Sequence, residues 1–294
     1  MIYDFILLGA GISGAVVAAE LHRKNATVLV LDKGRSVGGR LSCKRIGDVS
    51  FNHGLQNFQC NTQNRKWISD LIAEKFIEQT FPHKILVPAN QIVKKILKGA
   101  TVAIATEIKA IQYDGLIYKI TCTQNKKWQA KKVICTFPAA QSLRLLIQLL
   151  SHENIEELKS VKYSKKLACF ITSQITAPSS TDYSYEKINN YQMITFSDVI
   201  SDKLFELTDE AIINELQKIF KILNYEIKSE CITLKKWRYA QCLEPVEKIF
   251  LKCNSDTLMI IGDAFGSSTD SSLERTIKSA ESILFFLDSG NSFR

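Results

Sequence analysis

The sequence predicts an α/β fold with a parallel sheet, and three observations near its start predict it. The apolar run Tyr3-Asp4-Phe5-Ile6-Leu7-Leu8 reads as a buried parallel strand, Gly9-Ala10-Gly11-Ile12-Ser13-Gly14 follows it directly, and residues 12–25 carry apolar side chains at helical spacing. The glycines therefore sit at a strand-to-helix turn. Gly9 permits the tight turn, Gly11 leaves the backbone bare toward a pyrophosphate, and Gly14 lets helix and strand pack closely. Backbone N–H groups at Ile12 and Ser13, with the positive end of the helix dipole, would face the phosphates. A second strand, 27–31, ends in Asp32, eighteen residues after Gly14 and placed to bond a ribose hydroxyl. Together these make a dinucleotide-binding βαβ half. On this ground alone its ligand is either a nicotinamide or a flavin dinucleotide.

The next stretch, Lys33-Gly34-Arg35-Ser36-Val37-Gly38-Gly39-Arg40-Leu41, places a second glycine pair and an arginine directly after the acid. Two glycines let the loop lie close to a ligand, and Arg40 can supply a charge-assisted fork to a phosphate. This segment resembles the second glycine motif of the flavin amine oxidase superfamily, a group of FAD enzymes, and within it the chain is similar to the renalase-like branch. The resemblance extends through Phe51-Asn52-His53-Gly54-Leu55-Gln56-Asn57-Phe58, Thr136-Phe137-Pro138-Ala139-Ala140-Gln141, Trp237-Arg238-Tyr239-Ala240 and Gly262-Asp263, in the family's order. It implies a two-dinucleotide-binding, Rossmann-like FAD domain with an inserted α+β substrate domain. The expected divisions are 1–60 for the first part of the FAD domain, 61–87 for a helical segment of the substrate side, 88–150 for the second FAD part with a β-meander, 151–252 for the substrate domain and 253–294 for the third FAD part. The implied cofactor contacts are Gly9, Gly11, Ile12, Ser13, Gly14, Asp32, Lys33, Gly39, Arg40, Leu41, His53, Gly54, Leu55, Gln56, Ile108, Gly262 and Asp263. Ile108 sits where the family's backbone contacts the adenine. No cysteine or histidine lies in an attachment motif, so the FAD is expected to be noncovalent.

Composition agrees with a globular enzyme. The 294 residues exceed a typical single domain, so two interleaved lobes are expected, and 46% hydrophobic content is ordinary for such a chain. The N-terminal strand carries Asp4 and lacks a basic leader, and no apolar run approaches a membrane span, so the expected location is cytoplasmic with no membrane partner. Eight cysteines without a C-x-x-C pair read as buried free thiols, and four histidines without ligand spacing argue against a metal. From Lys84 to Lys132 ten lysines face only Glu107 and Asp114, an excess of ten minus two, +8, equal to that of the whole chain. Because arginines and aromatics are not interleaved, this reads as a solvated face rather than a nucleic-acid surface. Steering of an anionic substrate is the remaining use for it.

Further along, Asn61-Thr62-Gln63 reads as the start of a helix running through Ile72, and 88–97 as a second, with Pro88 at its beginning and Gly99 past its end. Short strands follow at 101–105, 109–113, 116–122 and 128–135, the last three separated by Asp114-Gly115 and Gln124-Asn125. This is a small β-meander, and 132–136 returns the chain to the main sheet. A helix at 139–150 marks the exit from the first lobe. The second lobe is expected to hold strands at 167–172, 191–196 and 230–237, and a helix at 210–223 capped by Thr208 or Asp209. Trp237 and Tyr239 alternate along a strand and read either as core or, by the resemblance, as part of a face that covers a flavin. The apolar run 257–261 ends in Gly262-Asp263, where the family's aspartate accepts a ribityl hydroxyl. A helix at 273–287 follows, whose N-terminus would favour negative charge at a flavin's pyrimidine edge.

The chain departs from the family in three places. Arg275 stands where small residues are usual, Ser279-Ala280 replaces Ser-Gly, and Asn52 replaces an aspartate. Arg275 either supplies positive charge to a reduced flavin or crowds it. The resemblance implies hydride transfer from a small-molecule donor, an isomer of NAD(P)H, to flavin N5, with reoxidation by O2 to H2O2. Trp237, Tyr239 and Arg275 are then the flavin-side candidates. Two alternatives stand beside it: an amine oxidase or desaturase acting on an amine or hydrophobic substrate, and a dinucleotide-binding protein without catalysis.

Overall fold

The first strand, Ile2–Leu8, lies inside an open sheet ordered Leu251–Cys253, Leu258–Ile260, Lys127–Cys135, Ile2–Leu8, Val28–Leu31 and Thr101–Ala103. The last five are mutually parallel, and Leu251–Cys253 runs antiparallel at the edge. The structure, a computed structural model, describes residues 1–61, 65–172, 180–222 and 224–289. Every residue of Val28–Leu31 and Leu258–Ile260 is buried, as expected of parallel strands covered on both faces. Each such fully buried aliphatic side chain contributes about 1.5–3 kcal/mol.

These strands belong to one of two compact units, formed by Met1–Ser42, Leu55–Lys162 and Cys242–Arg294. Its core includes Ala18 and Leu21 of helix Ile12–Arg23 with Ile277, Ala280 and Ile283 of helix Ser272–Ser289. Spacings of three and four residues put Leu273, Ile277, Ala280, Ile283 and Leu287 on one stripe of the latter. Strand Lys127–Cys135 serves two sheets' worth of pairing. Its residues 127–130 pair antiparallel with Tyr118–Cys122 in the meander, and from 129 onward it pairs parallel with Ile2–Leu8. The run at 101 differs from expectation: Thr101–Ala103 is the outer strand of the parallel sheet, and the chain turns away through Ala105 at φ 51° before Ile108–Tyr113 begins the meander. The helix expected from 61 starts instead at Lys66, with residues 62–64 outside the described ones. Asn61 N–H donates to Glu274, and Arg65, at φ −119° and ψ 81°, stands just before the first helical residue.

The second unit comprises Cys43–Gly54 and Tyr163–Gln241. Its four-stranded sheet is ordered Tyr183–Ile188, Tyr191–Phe196, Lys162–Ile171 and Ile232–Glu244. Alternation assigns the two faces. Leu167, Cys169, Ile171, Ile194 and Phe196 pack with Ile212, Leu216 and Phe220 of helix Asp209–Ile222, whereas Phe170 and Met193 pack with Val49 and Phe51 of the hairpin Lys44–Ile46/Val49–Phe51. Thr208 caps that helix, accepting from Ala211 N–H at 3.2 Å, while Leu223 lies outside the described residues.

The main segment of this unit, Tyr163–Gln241, lies within the 151–252 expected for a substrate domain. Helix His152–Ser160 groups with the first unit, where Asn154 Nδ2 donates to the Lys252 carbonyl and to Cys253 Sγ at 3.3 and 3.1 Å. Segment 43–54, expected in the first FAD part, groups with the second unit because its hairpin fills that sheet's other face. Among the described residues no helix is long and apolar enough to cross a membrane, and no disulfide joins the cysteines.

Candidate dinucleotide site

Four loops at the carboxyl ends of the parallel strands converge in the first unit, the edge where open α/β sheets bind ligands. Gly9 adopts φ 110°, and a Cβ at Gly14 would lie 2.1 Å from the Gly9 carbonyl oxygen, so the turn admits no side chain at Gly14. Thr136, after strand Lys127–Cys135, donates its hydroxyl to the Leu8 carbonyl at 3.0 Å and locks the turn from the neighbouring strand end. Helix Ile12–Arg23 then starts at Gly11 without a side-chain cap and without an acid in its first turn, and Ile12, Ser13 and Gly14 are buried. A Cβ at Gly11 would meet nothing within 4 Å, and one at Gly39 would come to 3.3 Å from Gly11 Cα. The two glycine motifs thus flank one open, N–H-lined space.

Asp32 ties this space together. One carboxylate oxygen accepts from Ala10 N–H at 2.7 Å and the other from Gly34 N–H at 2.6 Å, while its own N–H donates to Ala103. Gly38 N–H donates to the Ala10 carbonyl at 2.9 Å. Lys33 is exposed, Leu41 is buried, and Ile108 opens the meander strand opposite Cys122. Leu55 N–H donates to the Arg40 carbonyl, and Gln56 is exposed.

Arg40 and Asp263, expected to serve a phosphate and a ribityl hydroxyl, are brought into direct contact as an ion pair. Asp263 is 3% exposed. Burial by itself would raise its carboxyl, but Arg40, the Ser272 hydroxyl and Arg275 outweigh it and hold the group below the usual carboxylate range. Arg40, Ser272 Oγ and Cys242 N–H all donate to Oδ2, and among the described residues Oδ1 accepts no hydrogen bond. Gly262 N–H donates to Ser279 Oγ. Helix Ser272–Ser289 differs from Ile12–Arg23 at its start, because Ser271 Oγ accepts from Glu274 N–H at 3.1 Å and so caps it.

Arg275, read as supplying charge to a reduced flavin or as crowding it, is tied to the backbone. Its guanidinium is buried and donates to the carbonyls of Cys242, Asp263, Ser267 and Asp270. The sequence shows it as a departure but not as a tie, since backbone carbonyls carry no residue-type signal. Thr136 and Ser272 were likewise missed. A pair of serines before a helical run is a cap signal, but it points to Ser271 and not to the bond of Ser272 with Asp263.

His53 and Trp237 meet in the second unit. Trp237 Nε1–H donates to His53 Nδ1 at 3.3 Å, the rings are 5.4 Å apart at 33°, and Phe170 meets His53 edge-on. Tyr239 pairs instead with Tyr163. Nδ1 acts as an acceptor, so the imidazole is neutral; burial first, then Lys235 and Lys44, bring its pKa down to about 4 from 6.5. Between these values the unfolded chain binds a proton that the folded one does not, so stability falls as pH drops from 6.5 toward 4. The loss expected across that window is at most about 3 kcal/mol, and His53→Phe should remove it. Urea unfolding at pH 7 and pH 5 checks this, and a His53 ring resonance titrating near 6.5 would contradict it.

The fold and the strand-end loops define an α/β protein with a Rossmann-like dinucleotide-binding domain. A family profile described as an NAD(P)-binding Rossmann-like domain matches residues 7–74. In sequence the chain is similar to renalase of Mus musculus, 24% identical over 231 residues, a match spanning 67% of this chain and 66% of renalase. That is the resemblance expected from the second glycine motif. In fold the chain is similar to a putative protoporphyrinogen oxidase from an Exiguobacterium species, with TM-score 0.64, 10% identity and coverage of 97% of this chain and 98% of that one. It is also similar to a putrescine oxidase variant redesigned in cofactor binding, with TM-score 0.66, 10% identity and coverage of 98% and 99%. Cyclohexylamine oxidase from Brevibacterium oxydans matches with TM-score 0.63, 11% identity and coverage of 98% and 100%.

Proposed function

We propose that the protein is an FAD-dependent oxidoreductase of the renalase kind, oxidising a dihydronicotinamide-type donor with O2 as acceptor. The observation that supports it most is the buried, uncapped start of helix Ile12–Arg23, open beside Gly11 and flanked by Asp32 and Gly39. N–H groups of Ile12 and Ser13 would hold the pyrophosphate, and each Asp32 oxygen, engaged once by backbone, retains acceptor capacity for a ribose hydroxyl. Arg40 brings positive charge to the same loops, and Oδ1 of Asp263 would accept a ribityl hydroxyl. When bound, FAD would supply the redox chemistry, a two-electron oxidation of the donor coupled to the two-electron, two-proton reduction of O2 to H2O2. The chain's task is then to orient the donor and exclude water, and no side-chain base is required. The substrate side is assigned to the second unit, where Trp237 and Tyr239 stand two residues apart on strand Ile232–Glu244 and so on one face of it. The similarity to renalase supports the donor class.

Anaerobic stopped-flow mixing of the yellow holoprotein with dihydronicotinamide isomers tests this reading. The expected result is rapid bleaching of the flavin band, with recovery and stoichiometric H2O2 on admitting air. Bleaching by amines and not by any dihydronicotinamide would overturn the donor. A purified protein that neither contains nor takes up FAD would overturn the cofactor.

A further inference from the structure

We propose that Arg275 is a positioning residue for the cofactor, one that holds Asp263 so that a single carboxylate oxygen stays available to a ligand hydroxyl. The inference rests on the FAD reading above. Arg275 is 3% exposed and touches residue 263 directly, its Nε–H donating to the Asp263 carbonyl at 3.0 Å. Nη2 donates to the Cys242 carbonyl at 2.8 Å, and the N–H of that same Cys242 donates to Asp263 Oδ2 at 3.3 Å. A closed circuit results: Arg275 grips the backbone of 263 and of 242, and 242 in turn grips the carboxylate. Nη1 extends the hold to the Asp270 and Ser267 carbonyls at 2.6 and 3.3 Å, fixing the loop that joins strand Leu258–Ile260 to helix Ser272–Ser289.

The carboxylate's own bonds show what this circuit achieves. Among the described residues every donor that reaches it goes to Oδ2, and Oδ1 is left as an acceptor in a residue that is almost wholly buried. A carboxylate oxygen accepts more than one hydrogen bond, and Oδ1, on which none of these donors lies, keeps its acceptor capacity for a ligand hydroxyl. Rotation about the Cβ–Cγ bond would exchange the two oxygens, and the three donors on Oδ2 oppose it only while Cys242 and the loop stay in place. Arg275 keeps them there. A planar guanidinium can reach four carbonyls from one position, which the single ammonium of lysine cannot, so charge alone does not substitute for it.

The test compares FAD with ADP on the full-length apoprotein, using wild type, Arg275→Met and Arg275→Lys. ADP engages only the Gly9–Gly14 turn and Asp32, whereas FAD also needs Asp263. Arg275→Met is expected to raise the Kd for FAD at least tenfold while leaving that for ADP within twofold, and Arg275→Lys should fail to restore FAD affinity. Equal FAD affinity in all three proteins would overturn the proposal. So would parallel weakening of FAD and ADP, the pattern of a general loosening, or full rescue by lysine. If Arg275→Met does not fold, Arg275→Lys decides by the same split, and Asp263→Asn should reproduce it. Wild-type protein that binds neither FAD nor ADP would overturn the cofactor reading itself, a failure visible before any variant is compared.

Discussion

Gly11→Val is expected to lower FAD affinity by at least a hundredfold and leave the apoprotein folded, whereas Gly14→Val should disrupt the fold. The two glycines lie three residues apart in one motif, and their surroundings separate them. A Cβ at Gly11 meets no protein atom within 4 Å, and the backbone there is extended at φ −78°, a conformation valine adopts readily. Its branched side chain would fill the space bounded by the uncapped helix end and Gly39, so the added atoms compete with the pyrophosphate and not with the protein. Valine is a poorer residue than glycine at a helix start, which costs the apoprotein at most about 1 kcal/mol. At Gly14 the added Cβ would stand 2.1 Å from the Gly9 carbonyl oxygen, a backbone atom that cannot swing aside. The overlap should cost about 3 kcal/mol or more. Retained flavin absorbance after gel filtration, set beside thermal unfolding of each apoprotein, reads both effects. A Gly11→Val protein that keeps its FAD would place the pyrophosphate elsewhere.

The difference between these neighbours was partly legible in the sequence. The strand, the turn and the helix are read correctly because each is specified locally: Phe5-Ile6-Leu7-Leu8 is apolar without interruption, and the glycines fall where strand pattern gives way to helix pattern. Asp32 is legible for the same reason, as the first acid past a short apolar run. Residues whose partners lie far along the chain are not. Asn61-Thr62-Gln63 resembles a helix start, yet the Asn61 N–H bonds to Glu274, 213 residues away. The hairpin of Val49 and Phe51 reads as part of the first lobe until Phe170 and Met193 are seen to cover it. The lysine excess between 84 and 132 is also less one-sided in space than in sequence, since Lys95 pairs with Glu74 and Lys131 with Asp4, both outside that stretch.

Arg65 carries the second large effect, and it too is a long-range residue. Its guanidinium forks onto Glu281 with two bonds of 2.8 Å, and Nη1 reaches both oxygens of Glu274 at 2.9 Å. Arg65 and Glu274 side chains are only 9% and 12% exposed. Arg65→Met is therefore expected to cost about 3–5 kcal/mol, most of it from leaving Glu274 charged without its cation. Adding Glu274→Gln should recover a large part, because the double variant no longer buries an unpaired charge. Titration supplies an independent check. Burial would raise the Glu274 carboxyl, but the Asn61 N–H, Cys60 and Arg65 outweigh it and hold the group below its ordinary value. The folded state thus binds its proton at lower pH than the unfolded one. The stability this adds is fully present above the unfolded value and lost as pH falls through the folded value, so Glu274→Gln should flatten the acid limb of the wild-type curve. Both measurements belong on the apoprotein. A ligand that binds only the folded state adds about 2.7 kcal/mol at a hundred times its Kd, and any difference in FAD affinity between wild type and variant would enter the comparison. An Arg65→Met apoprotein as stable as wild type would show that the three charges contribute nothing net, and that helix Ser272–Ser289 is held by its apolar stripe alone.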